Sequence, residues 1–393
     1  MPTPKGHHTG STYSNPWAPG FSLRKCAGAI LKGPLTRGTP FELAIEPAKT
    51  VQCHFGLYES EDARKAICTT WLGHAGFLVR ICGSVTVLFD PIFSERASPS
   101  SWVGPEDGYL RLAKSLTYRI FSMSSSRITS TYDHLDTQAL RDVKERSPNV
   151  HFLVPEGMRA LIVEELALGE DRVKELDWWD AVSYPGDDYK IEFVCTPAQH
   201  NSGRGILDQN HTLWASWVVR CFPLGSGSPT ASVYHAGDTG YTTSSGPCPV
   251  FAEIGSRYGP FDFAMVPIWR GASLSVLGRM GLRLTEDATH TLLSTLHASP
   301  KDAVSLARDV RARHTLGMHF GTFCGSEDES VQPLVELAEA LMDGSEEVIH
   351  EGQIAAKGSK SGQIELRESW KKDGGFGIID VGQTVIVPLH TDD

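Results

Sequence analysis

The sequence predicts an α/β fold, two mixed β-sheets sandwiched by helices in a single domain. Three observations lead there. Apolar, partly alternating runs, TWLGHAGFLVRI at 70–81 and SVTVLFD at 84–90, read as paired strands around a tight Cys-Gly-Ser turn. Downstream, further strand-like runs alternate with amphipathic helical ones. No repeat and no long linker interrupts residues 69–390. A chain of 393 residues, 40% hydrophobic and 21% charged, has enough material to bury one large core or two modest ones.

Taken in order, residues 1–48 are rich in Gly and Pro and are expected to be irregular. The division expected is an N-terminal segment, 1–68, packing on a body formed by 69–393. KIEFVCTPAQH at 190–200 and ASVYHAGDTG at 231–240 each read as a strand running into a potential metal ligand. DFAMVPI at 262–268 is another strand. SPKDAVSLARDVRARH at 299–314 reads as a helix with Ser299 as N-cap, Pro300 at N1, and Ala303, Ala307 and Val310 on one face. TLGMHFGTF, 315–323, is a short strand ending near a histidine. QPLVELAEALMDG, 332–344, is a second amphipathic helix, with Leu334, Leu337, Ala338 and Leu341 facing inward and Gly344 as its stop. FGIIDVGQTVIVPL at 376–389 is strand-like. In contrast YRIFSMSSSRITST, 118–131, is serine-rich and a poor core strand.

Composition narrows the function classes. A net charge of −11 argues against a nucleic-acid binder. Eight scattered cysteines without a CxxC fit reduced thiols in an intracellular protein. No stretch of 18 apolar residues marks a membrane span. The first acidic residue is Glu42, preceded by Lys5, Arg24, Lys25, Lys32 and Arg37, a faintly transit-peptide-like composition that Pro2, Pro4, Pro16 and Pro19 work against. The expected location is cytoplasmic or peripheral to a membrane, with a mitochondrial one as the alternative.

Potential ligands stand at four points: Asp133-His134, His200, Asp238 and His319. A rigid sheet presenting imidazole and carboxylate from strand ends is a common way to build a hydrolytic metal site.

These residues carry a resemblance. NPW at 15–17, TWLGHAGFLV at 70–79, FDPIFSERASPSSWVGP at 89–105, YDHLD at 132–136, ELDWWD at 175–180, TPAQH at 196–200, HAGDTGY at 235–241, VPIWRGA at 266–272, LHASPKDAV at 296–304 and GMHFGTF at 317–323 resemble the N-acylphosphatidylethanolamine-hydrolysing phospholipase D family of the metallo-β-lactamase superfamily, including its fungal relatives. The resemblance implies an αββα sandwich and zinc-dependent cleavage of a phospholipid to phosphatidic acid and an N-acylethanolamine. It implies that His200 and Asp238 help bind one zinc ion. Asp133, His134, Asp238 and His319 would bind the other, Asp238 bridging the two. Asp133, His134 and Asp238 would be the catalytic group, His297 would contact substrate, and Asp90 and His74 would support the floor. A homodimer is also implied.

The departure lies at 128–131. Where the family has H-x-H-Y-D-H-L-D, this chain has Thr129-Ser130-Thr131-Tyr132-Asp133-His134-Leu135-Asp136. The first metal then keeps two protein ligands, too few for tight binding, and the second keeps four. The resemblance stops at Glu106 and resumes at Tyr132, so a displaced reading frame and a true loss of ligands both stand. Besides an active phospholipase, the alternatives are an impaired relative that binds lipid or a partner, and a metallohydrolase of another substrate. Trp17, Phe21, Leu23 and SLSVLGRMGLRL at 273–284, with Arg279 and Arg283, are expected to offer either a lipid-facing surface for peripheral membrane contact or an ordinary buried segment.

Overall fold

The computed structural model describes residues 6–17, 35–37, 46–81, 83, 85–93, 120–123, 135–186, 188–202, 209–243, 245–269, 282–284, 296–322, 327–343, 366, 370 and 374–389. The chain opens with a two-stranded ribbon, β1 (His8–Thr9) and β2 (Thr12–Tyr13), and a short strand β3 (Leu35–Arg37). The first large sheet follows: β4 (Ile67–Gly73), β5 (Gly76–Ile81), β6 (Val85–Phe89), β7 (Ile120–Met123), β8 (His151–Pro155) and β9 (Val173–Leu176). The second contains β10 (Ala181–Pro185), β11 (Tyr189–Thr196), β12 (Ser216–Pro223) and β13 (Ala231–His235). A small ribbon of β14 (Thr242–Thr243) and β15 (Gly246–Pro247) comes next, then β16 (Phe261–Pro267), β17 (Leu282–Leu284), β18 (Ala312–Met318), β19 (Gly375–Gly377) and β20 (Thr384–Val387). The described α-helices are α1 (Glu61–Arg64), α2 (Thr137–Arg146), α3 (Arg159–Leu166), α4 (Val250–Tyr258), α5 (Pro300–Asp309) and α6 (Glu327–Asp343).

Two seven-stranded mixed sheets result, in the orders β20-β4-β5-β6-β7-β8-β9 and β10-β11-β12-β13-β16-β18-β19. Each has three antiparallel pairings followed by three parallel ones. This is the αββα sandwich. In the first sheet the period of two sorts side chains between two cores. Ile67, Trp71, Phe77, Val79, Ile81, Val85, Val87, Phe89 and Leu153 face the second sheet, whose Phe193, Trp217, Val233 and Phe263 join the same cluster. The opposite face, Cys68, Leu72, Leu78, Leu88, Phe152 and Val154, packs with Leu140 and Val143 of α2 and Ile162 and Leu166 of α3. Both faces being buried, these strands read as nearly continuous apolar runs.

Three elements differ from the sequence reading. The run 299–314 is not one helix: α5 ends at Asp309, Arg311 takes a left-handed conformation (φ 61°), and Ala312, Arg313 and His314 already belong to β18. Pairing with β16 overrides the helical propensity of that stretch. The serine-rich segment does contain a strand, Ile120–Met123, paired in parallel between β6 and β8 in the middle of the first sheet. The tail is two strands, β19 joining the second sheet and β20 the first. Ser299 caps α5 as expected, in a capping box with Asp302.

Candidate metal centre

The strand directions gather the polar loops at one edge of the sandwich. Strands β4 and β6 both run antiparallel to β5, so their C-terminal ends lie together; there stand His74 and Asp90. In the second sheet β11 and β13 both oppose β12, and β16 and β18 run parallel to β13. Their C-terminal ends therefore share one edge, which carries His200, Asp238 and His319 within four residues of their strands. The backbone N–H of His319 donates to the His74 carbonyl at 3.0 Å, and His235 contacts the Ala75 carbonyl at 3.0 Å, so the two sheets are tied at this edge. His74, Asp90 and His319 all have positive φ (49°, 36° and 62°), unfavourable for side-chain-bearing residues and held by the surrounding loops. Gly76 sits in a crowded turn: a Cβ there would lie 3.0 Å from the Gly73 carbonyl and 3.2 Å from that of Asp90, tighter than ordinary contact.

Asp238 is the centre of the cluster and is 4% exposed. Its Oδ2 lies 3.0 Å from His200 Nε2 and 3.1 Å from His297 Nε2, while Oδ1 lies 3.7 Å from His319 Nε2. The imidazoles also meet one another, His74 and His319 at 4.0 Å between centroids, His200 and His297 at 5.4 Å, His297 and His319 at 5.6 Å. His74 Nδ1 is 3.1 Å from Thr322 Oγ1.

Hydrogen bonds between the loops fix these positions. The Gln199 N–H donates to Thr239 Oγ1, its side-chain amide to the Thr242 carbonyl, and the Gly240 N–H to the Gln199 carbonyl, each at 2.8 Å. The His200 loop is thereby locked to the Asp238 loop. The Ala298 N–H donates to the Thr239 carbonyl at 2.8 Å, which brings His297 to the same carboxylate. Asn15 reaches in from the N-terminal segment, its Nδ2 donating to the His200 carbonyl at 3.2 Å.

The donor set fits a divalent metal. His200 Nδ1 is 2.5 Å from the Asn201 carbonyl, so the ring hydrogen belongs on Nδ1 and Nε2 is left as a lone pair. That buried lone pair makes no hydrogen bond, yet it faces a carboxylate oxygen at 3.0 Å. Two electron-rich atoms held this close repel unless a cation, a metal ion or a second ring proton, lies between them. With His297, these form a group of three donors within 4.8 Å of one another.

Of the sequence-derived site residues, His200, Asp238, His319, His297 and His74 are thus brought together, and Asp90 is fully buried at the end of β6 on the same edge. Asp133 and His134, with Thr129 and Thr131, lie outside the described residues, as do Phe21, Leu23 and residues 273–281. Trp17 is half-buried and stacks on Trp178 at 5.6 Å. Sequence reasoning passed over Asp136, 2% exposed, which ends the YDHLD run. Its Oδ1 caps α2 by accepting from the Gln138 and Ala139 N–H groups at 3.0 Å, and its Oδ2 accepts from Phe93 N–H at 2.9 Å. An Asp before an apolar helical pattern is a start signal that could have found it. Gln199 and Asn15 carried no such signal.

Residues 127–320 match the model of the β-lactamase superfamily domain. The chain is 31% identical over 295 residues to N-acyl-phosphatidylethanolamine-hydrolyzing phospholipase D 1 of Caenorhabditis elegans, covering 73% of this chain and 72% of that one. It is 26% identical over 291 residues to the mitochondrial N-acyl-phosphatidylethanolamine-hydrolyzing phospholipase D of Saccharomyces cerevisiae, covering 71% of this chain and 53% of the yeast protein. Among solved structures, a diiron β-hydroxylase from Streptomyces venezuelae superposes with a TM-score of 0.50 at 17% identity, over 82% of this chain and 54% of its own. The chain therefore spans only about half the length of the yeast protein and of the hydroxylase. At that identity the hydroxylase speaks for the fold alone.

Proposed function

Since the chain belongs to the N-acylphosphatidylethanolamine-hydrolysing phospholipase D family, and is a metal-dependent hydrolase of the metallo-β-lactamase type, we propose that its metal is zinc and its substrate an N-acylated phosphatidylethanolamine. The products are phosphatidic acid and an N-acylethanolamine. The observation that carries the reading is the His200 lone pair facing Asp238, with His297 on the same oxygen.

We assign His200, Asp238 and His297 as ligands of one ion. His319 with Asp238, joined by Asp133 and His134, would hold a second. On this assignment His297 supplies the third donor that Thr129 and Thr131 do not. When bound, zinc supplies Lewis acidity: it lowers the pKa of water and offsets charge on the phosphoryl oxygens. The chain's own contribution is positional. Asn201 holds the hydrogen of His200 on Nδ1, and Gln199, Thr239 and Ala298 fix the separation of the donors. The net chemistry adds a water oxygen to phosphorus and breaks the bond from phosphorus to the ethanolamine oxygen, which leaves with a proton.

The test is hydrolysis of an N-acylphosphatidylethanolamine in mixed micelles by the full chain, followed by mass spectrometry of both products. Phosphatidic acid and N-acylethanolamine should appear in equal amounts, vanish with a chelator and return with zinc. A metal-loaded protein that leaves this lipid intact overturns the substrate. Recovery with another divalent ion but not with zinc overturns the metal.

A further inference from the structure

A second group of histidine and carboxylate donors lies where the N-terminal strand pair meets the body. His7 is 5% exposed and His8 begins β1. His7 Nε2 lies 2.7 Å from Asp177 Oδ1, and His8 Nε2 lies 2.8 Å from Asp177 Oδ2. Glu156 Oε2 is 3.7 Å from the same His8 nitrogen. The donor atoms of His7, His8 and Asp177 are all within 4.8 Å of one another. Burial holds the Tyr13 phenol up, and the negative charges of Glu156, Asp177 and Glu175 push in the same direction, Glu156 also accepting a hydrogen bond from the phenol. Asp177 is 4% exposed, so that charge is largely out of water.

We propose that His7, His8, Asp177 and Glu156 form a separate divalent-metal site, of the structural zinc kind, that fastens the N-terminal strand pair to the body. Two imidazoles and two carboxylates make a four-donor nitrogen–oxygen set of the kind zinc takes. Zinc bonds of this type imply ligand separations of ~3.3 Å, so the contacts at Asp177 need to open by only about half an ångström. A hydrogen-bonded clamp of the two imidazoles on one carboxylate, with Glu156 bonded to the Tyr13 phenol, is the competing arrangement. The site stands apart from the centre at Asp238 and does not depend on the reaction proposed there. The two are linked mechanically, because the same segment carries Asn15 to the His200 carbonyl.

The experiment counts metal in the full chain after dialysis against buffered nanomolar zinc, by inductively coupled plasma mass spectrometry. Wild type, His8→Ala, Asp177→Asn, His200→Ala and the His8→Ala/His200→Ala double variant are compared. His8 is partly exposed, and the change of Asp177 to asparagine keeps the side-chain volume, so neither single change opens the core. Both are expected to lose one equivalent relative to wild type, and the double variant to lose the sum of its two single losses. A full wild-type complement in either His8→Ala or Asp177→Asn overturns the site and leaves the hydrogen-bonded clamp. Should either variant fold poorly, hydrogen exchange of wild type decides: chelation should speed exchange at the Tyr13 amide, which donates to the Asn210 carbonyl at 2.8 Å. Unchanged protection there overturns the site equally.

Discussion

His200 and His297 address the same oxygen of Asp238, so the two imidazoles should not be interchangeable with hydrogen-bonding residues. His200→Gln keeps a polar group but offers a weakly ligating amide oxygen in place of the imidazole nitrogen, and metal affinity should fall at least about 10-fold, as measured by competition with a chromophoric chelator. Asn15→Ala removes the bond to the His200 carbonyl and the one that Asn15 Oδ1 accepts from the Trp17 N–H at 3.0 Å, each a contribution of about 1 kcal/mol. Hydrolysis should drop several-fold while metal content stays, which separates positioning from ligation. At 128–131, Thr129→His with Thr131→His should raise both metal content and hydrolysis, since two imidazoles are added to an existing set. An unchanged rate would mean that His297 already completes it. Residues at strand ends between glycines were legible in the sequence, because a turn there must be tight and its polar side chain exposed to the edge. The approach of His297 to Asp238 was not legible. It follows from one backbone bond, Ala298 to Thr239, between segments far apart in the chain.

Element by element, the helices show where packing adds what propensity lacks. Helix α2 starts on Asp136, which accepts from three backbone N–H groups, those of Gln138, Ala139 and Phe93. Asp136→Ala should cost about 2 kcal/mol, at the upper end for a cap, read as a lower urea midpoint; Asp136→Asn should cost less than half of that. Helix α4 crosses the end of α5 at Gly255, where a Cβ would lie 2.1 Å from the Asp309 carbonyl and 2.9 Å from the Cα of Val310. Gly255→Ala is therefore expected to destabilise by more than about 3 kcal/mol or to prevent soluble expression, an effect of overpacking against backbone. Helix α5 was readable from its cap and its apolar face, but its end was not. Arg308, Arg311 and Arg313 suit a helix as well as they suit the turn and strand that replace it. Ile120–Met123 was obscured for the opposite reason: the serines after it suggested a loop, whereas four residues suffice for a central parallel strand.

For the molecule as a whole, burial reaches groups that titrate. The Cys68 and Cys248 thiols are pushed up to about 12 by burial, and Tyr58 and Tyr234 are shifted in the same direction. In the unfolded chain these thiols ionise near pH 9 and release protons that the folded protein keeps. Stability should thus be unaffected by these thiols below about pH 8 and fall as pH rises from about 9 to 12. Urea midpoints across that range check it, and Cys68→Ala/Cys248→Ala should flatten the fall. The sandwich architecture was legible from alternating runs and the order of strands and helices. The destination of the tail was not, because nothing local in 376–389 says that its two halves part company. Strand β19 completes the second sheet beside β18, and β20 completes the first beside β4. On a ribosome this has a cost in time. Until the last fifteen or so residues of that run emerge, β4 and β18 each offer a bare row of amide and carbonyl groups to any neighbouring nascent chain. One short peptide closes both, so a chain truncated before Gly375 should aggregate more readily than one that carries residues 375–387.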